Sequence, residues 1–102
     1  MISANDVSGN NDAAQSHARA SFGWATGTSA RSSLWIGETD NVSPTVARRD
    51  LDRTKLIKLM TESASPTVNA AADHVSFDAD GQTINWTTAD GTARQILVLW
   101  IG

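Results

Sequence analysis

Hydrophobic and polar positions alternate most regularly between Ala72 and Ile101. Val75 and Phe77 alternate with Ser76 and Asp78. Ile84 and Trp86 alternate with Thr83, Asn85 and Thr87, and a continuous apolar run follows from Ile96 to Ile101. A period of two sends successive side chains to opposite faces of a strand. Between these runs, Ala79-Asp80-Gly81 and Ala89-Asp90-Gly91 carry the Asp-Gly pair of tight hairpin turns, where glycine takes positive φ at little cost. The pattern predicts a three-stranded antiparallel meander.

Upstream, Ala20 to Thr26 reads as a strand with Phe22 and Trp24 on one core-directed face, and Gly23 between them marks a bulge or a close backbone approach. Gly27-Thr28-Ser29 supplies a turn, and Arg31 to Gly37 is the natural hairpin partner. Glu38 to Val46 is a loop, because Ser43 precedes a proline. Ala47 to Met60 holds five of the eight basic residues (Arg48, Arg49, Arg53, Lys55 and Lys58). Its apolar residues form no clean helical stripe, so the expectation is an irregular lead-in and then a strand over Lys55–Met60. Asp50 and Asp52 interleave with the arginines, which suggests a solvated, self-paired surface. Thr61 to Ala71 is again loop.

Residues 1–18 are polar and have little to bury; they read as an arm that orders only against a partner. Residues 19–102 form the domain. About six strands with no long helix give an all-β class: a small antiparallel β-sandwich or jelly-roll-like domain with a polar N-terminal arm.

Composition narrows the function classes. Hydrophobic residues make up 40% of the chain and charged residues 19%, which sets it apart from disordered sequences. With no cysteine there is no disulfide, no thiolate nucleophile and no Cys-based zinc site. The net charge of −3 opposes an overall attraction to nucleic acid or anionic membrane. Ile96–Ile101 is far shorter than a membrane-spanning helix requires, and the first residues lack the basic start and apolar core of a secretory signal.

Candidate chemistry is sparse. His17 and His74 have no ligand partner at metal-binding spacing, and no serine stands in a nucleophile-elbow context. Asp78 and Asp80 before Gly81 match the opening of a calcium loop whose remaining ligands are missing, so turn chemistry accounts for them. The basic cluster lacks the interleaved aromatics of a nucleic-acid surface. No cofactor and no metal is expected. Four tryptophans accompany no tyrosine; Trp24 and Trp35 are candidates for a glycan-stacking platform, against the simpler reading that they pack in the core. The last strand is apolar on both parities, with Ile96, Val98 and Trp100 on one and Leu97, Leu99 and Ile101 on the other. A two-layer sandwich buries only one. Leu97, Leu99 and Ile101 are therefore candidates for a subunit interface, unless the arm or a loop covers them.

The segment ADHVSFDADGQTINWTTADGTAR resembles a β-rich module of tailed-bacteriophage structural proteins. The matching positions are Ala72, Asp73, Val75, Ser76, Phe77, Asp78, Asp80, Gly81, Thr83, Asn85, Trp86, Thr87, Ala89, Asp90, Thr92, Ala93 and Arg94. ASFGWATG and ETDNV are similar to the family's earlier pieces more loosely. Gln82 stands where the family more often has an aromatic, and Trp100 where a smaller residue is usual. The resemblance implies a virion structural protein and no enzyme: a capsid decoration or cement protein, or a tail- or fibre-associated component. Such a protein would self-associate, bind other virion proteins and reside in the virion after assembly in the host cytoplasm. The alternative is a carbohydrate-binding module or adhesin domain that meets a host-surface glycan.

Overall fold

The computed structural model describes residues 1–5, 17–40, 46–61, 63, 65–99 and 101, and every element among them is a β-strand. In chain order these are β1 (Ile2–Asn5), β2 (His17–Ala25), β3 (Arg31–Thr39), β4 (Val46–Asp52), β5 (Ile57–Met60), β6 (Val68–Asp78), β7 (Gly81–Thr88) and β8 (Ile96–Val98). They form a small β-sandwich: a five-stranded sheet in the order β4-β3-β2-β1-β8 and a three-stranded sheet in the order β5-β6-β7. All pairings are antiparallel. The chain fills four positions of the large sheet, crosses to build the small one, and returns with β8.

Two local expectations meet their partners as read. Phe22 pairs with Leu34 and Trp24 with Ser32, so β2 and β3 form the front hairpin. Ser76 and Phe77 pair with Thr83 and Gln82 in the β6–β7 hairpin. Its two-residue loop is Ala79-Asp80, and Gly81 is already a strand residue opposite Asp78. Gly81 is not in the left-handed region, so the turn does not draw on that freedom.

Three expectations are corrected. The terminal meander does not form: β8 leaves β7 and pairs with β1 in the other sheet, Ile2 opposite Val98 and Ala4 opposite Ile96. Residues 2–5 of the supposed arm are a strand within the large sheet, and Ile2 is buried in the core; residues 6–16 lie outside those described. Val46–Asp52, read as loop and irregular lead-in, is β4, and the charged segment is thus two strands rather than one. For β1 and β8 the ladder partners lie far along the chain and supply backbone hydrogen bonds that no local pattern announces. β4 pairs with its chain neighbour β3, Val46 opposite Thr39, and its dense charge leaves no apolar alternation to read.

The packing of the layers depends on small residues on β2 and β3. Cross-strand partners share a face, so Gly23 lies with Ile2 and Ser33, and Ser21 with Trp35 and Asp50. Over this low surface β5 comes close. Lys58 N–H donates to Ser21 Oγ at 3.2 Å, and Arg19 Nη1 donates to the Met60 carbonyl at 3.0 Å. A Cβ on Gly23 would sit 1.6 Å from the Leu56 carbonyl oxygen, so the expected close approach is present. Trp35 is the large side chain of this face, 1% exposed, and its indole lies over Gly37, where a Cβ would fall 2.5 Å from the ring. Leu56, Ile57, Leu59, Ala70 and Ala72 close the core from the small sheet. Large residues face small ones there, Ile57 opposite Ala72 and Leu59 opposite Ala70.

Candidate interaction surface and cleft

The core takes one face of the large sheet and leaves the other open. Leu51, Leu34 and Phe22 are successive cross-strand partners on that outer face, and the row runs on through the Ser3 position of β1 to Leu97 of β8. Ile36 stands one pair further along β3, and Trp24 one pair the other way on β2. The expectation that Phe22 and Trp24 point into the core is corrected: both are exposed. On β2 the inner positions must admit β5 and are the small Ser21 and Gly23, so the bulky parity of this strand faces outward.

The three candidate interface residues lie at the edge of this sheet. Leu97 is 71% exposed and Ile101 89% exposed, with Leu99 about half exposed between them. Leu99 continues the ladder, its N–H donating to the Met1 carbonyl at 2.8 Å and its own carbonyl accepting from the Met1 ammonium at 2.7 Å. Ile96 and Val98, on the opposite parity, are also exposed. Both faces of β8 are therefore open within one chain.

The two candidate stacking residues separate. Trp35 is buried and cannot meet a ligand, which corrects that reading; the close packing of β5 and Gly37 around it is the cause. Trp24 lines a half-open cleft of about 700 Å³ between the β2–β3 turn, the β6–β7 turn and the two chain ends. Phe77, Leu99 and Ile101 add apolar wall, and Asp78, Asp80 and Gln82 add polar groups. Asp78 is fixed by Thr83 Oγ1 at 2.8 Å and Ser76 Oγ at 2.9 Å, hydrogen bonds that hold its carboxyl below the usual carboxylate range. Behind it His74 is buried, with the Phe77 ring 4.4 Å away and the Gln82 amide on Nδ1. Such a cleft offers aromatic surface and oriented acceptors, the chemistry that holds a sugar ring.

The polar residues of the Ala72–Arg94 segment have specific partners. Ser76, Asp78 and Thr83 tie the two strands of the hairpin together. Asp90 organises the crossover to β8: Arg94 Nε donates to it at 2.7 Å, Asn69 Nδ2 at 2.7 Å and the Thr92 N–H at 2.9 Å. Burial alone would raise the Asp90 carboxyl, but Arg94 and the Thr92 N–H outweigh it and bring it below the ordinary range. These contacts shape a connection that changes sheets, where a tight hairpin is expected from Asp-Gly alone.

The interleaved acids do pair, but with Lys58 across the two sheets and partly buried, where a solvated surface is expected. Lys58 Nζ lies 2.8 Å from Asp50 and 3.0 Å from Asp52. Asp52 also accepts from Thr54 Oγ1 at 2.6 Å and Thr54 N–H at 2.7 Å. Burial pushes Asp52 up, yet the Thr54 and Lys58 contacts prevail and lower it to about 2. Burial likewise opposes the charge on Lys58, and the two carboxylates override it and raise the ammonium. Asp73 bridges Lys55 at 3.1 Å and Arg31 at 3.5 Å. Among the described residues, no three His, Cys, Asp or Glu side chains converge to hold a metal.

Phe22, Ile36 and Leu51 go unnoticed when the chain is read for sites. A signal for them exists: in Ser21-Phe22-Gly23-Trp24 and Ser33-Leu34-Trp35-Ile36-Gly37 the alternate parity is mostly serine and glycine, the composition of a face that packs against backbone. Searches against protein-family models, curated proteins and solved structures find no match to this chain.

Proposed function

We propose that the chain is a structural subunit of a bacteriophage virion, a capsid decoration or cement protein or a tail- or fibre-associated component, which works by self-association and not by catalysis. The observation that carries this reading is the open β8 edge, where Leu97, Leu99 and Ile101 present apolar side chains to solvent. Monomeric proteins blunt such edges with charge or proline, and β8 itself (Ile96-Leu97-Val98) has neither. The resemblance of Ala72–Arg94 to a tailed-phage structural module supports it. A small sandwich with open apolar surface suits a lattice, in which weak contacts multiply. Gradient-banded phage particles from a lysate that contains the chain provide the test. Immunogold label on capsids or tails is the expected result; a chain left wholly in the particle-free fractions would overturn it.

A second reading, a carbohydrate-binding module, is favoured by Trp24 in its cleft beside the fixed Asp78 carboxylate. Titration with neutral oligosaccharides would shift the Trp24 indole Nε1–H resonance. Unshifted indole signals across a panel of such glycans would dismiss it.

A further inference from the structure

From the geometry we infer that the outer face of the five-stranded sheet is a two-fold interface with a second copy of this chain. This rests on the self-association reading above and names the surface and the partner. The β8 edge is one end of a row that crosses the whole sheet, from Leu51 on β4 through Leu34 and Phe22 to Leu97. Phe22, Trp24, Ile36 and Leu51 are between 40% and 54% exposed, and Leu97 more so.

Extent comes first in favour of a copy. Together these side chains present on the order of 600 Å² of apolar surface, at the upper end of the largest patch a monomer shows and approaching the roughly 800 Å² per partner of a stable interface once a polar rim is added. The rim supplies the second argument. Arg49, opposite Ile36, and Glu38, two residues further along β3, are both exposed on this same face. In a two-fold contact residue i meets j and j meets i, so a face that carries both signs can pair Arg49 with Glu38 of the copy, whereas a face of one sign would repel itself. Shape comes third: an open sheet face with regular cross-strand rows is the surface that another sheet covers at about 10 Å, with strands aligned.

The test is the solution mass of the full chain over a concentration series, by light scattering and sedimentation equilibrium. A dimer is expected, weakened at least tenfold by Leu51→Asp and by Leu97→Asp, and unaffected by Val75→Asp, an exposed apolar position on the other sheet. Circular dichroism and urea midpoints show whether each variant is folded. Arg49→Glu alone weakens the dimer, and the double swap Arg49→Glu with Glu38→Arg restores it, a result that a merely unfolded variant cannot give. A chain that stays monomeric into the millimolar range overturns the proposal. So does a dimer that Leu97→Asp breaks and folded Leu51→Asp does not, since that places the contact at the β8 edge alone. A dimer absent from phage particles would refute the virion reading and leave this interface standing.

Discussion

Gly23→Ala tests the packing of the two layers at its tightest point. The added methyl carbon would lie 1.6 Å from the Leu56 carbonyl oxygen, 2.8 Å from the Leu56 carbonyl carbon and 3.4 Å from Ile2 Cγ2. The obstacle is backbone, so no side-chain rotation relieves it. Nor is the Leu56 peptide free to retreat, because its N–H donates to the Ala72 carbonyl at 2.8 Å and Leu56 and Ile57 are both in the core. Restoring an ordinary contact requires the layers to part by roughly 1.5–2 Å around Ile2, Leu56 and Ile57, which surrenders close packing among fully buried residues. Overpacking of a core usually costs about 1–3 kcal/mol, and a clash against fixed backbone belongs at or beyond the top of that range. We expect a loss of about 3 kcal/mol or more in urea unfolding, seen as a lower midpoint with an unchanged slope. Gly27→Ala is the matched control, since nothing lies within 4 Å of its Cβ position; its change should stay within about 0.5 kcal/mol. If Gly23→Ala loses less than about 1 kcal/mol, the close approach of β5 to β2 is wrong, and with it the stacking of the sheets.

Other predictions follow from the charged groups and the crossover. Lys58→Met leaves Asp50 and Asp52 facing each other without their cation, and should cost about 2–4 kcal/mol at pH 7. The deficit should narrow as the carboxylates protonate, as urea titrations at pH 7 and pH 3 would show. For Asp52, whose carboxyl is lowered to about 2 in the folded chain from an ordinary 3.8, the stabilisation is complete above the unfolded value and fades as pH falls toward 2. The melting temperature should therefore drop between pH 4 and pH 2, and Asp52→Asn should flatten that limb; an equally steep limb in the variant would refute the assignment. Asp90→Ala removes the acceptor for Arg94, Asn69 and Thr92 together, and should cost about 2–3 kcal/mol. Amide exchange should then speed up first in β8, and unaltered β8 protection would mean that the crossover is held by other contacts.

Local pattern was sufficient only where apolar alternation and turn residues coincide; the adjacent β3–β4 pair, masked by charge, was not legible. Alternation and turn residues predict the β2–β3 and β6–β7 hairpins, the interleaving of Asp50 and Asp52 with arginines predicts paired charge without naming Lys58 as the partner, and Gly23 announces a close approach. The all-β class follows from the same short runs. Three decisions belonged to the tertiary structure alone. The first was sheet membership: nothing within Ile96–Val98 says that it pairs with Ile2–Ala4, because the choice between β1 and β7 as a neighbour is set by which open ladder the Asp90–Arg94 crossover can reach. The second was the direction of each face. Periodicity gives two parities without saying which is inside, and here the alanines Ala70 and Ala72 and the small residues Ser21, Gly23 and Ser33 go inward while Phe22, Trp24 and Phe77 go outward, because β5 lies against the β2 backbone at Ser21 and Gly23 and leaves no room for a ring there, whereas Trp35 finds its space over Gly37. The third was the fate of the tryptophans. Trp24 and Trp35 look alike as apolar strand residues, and only the position of β5 buries the second and leaves the first at the mouth of a cleft.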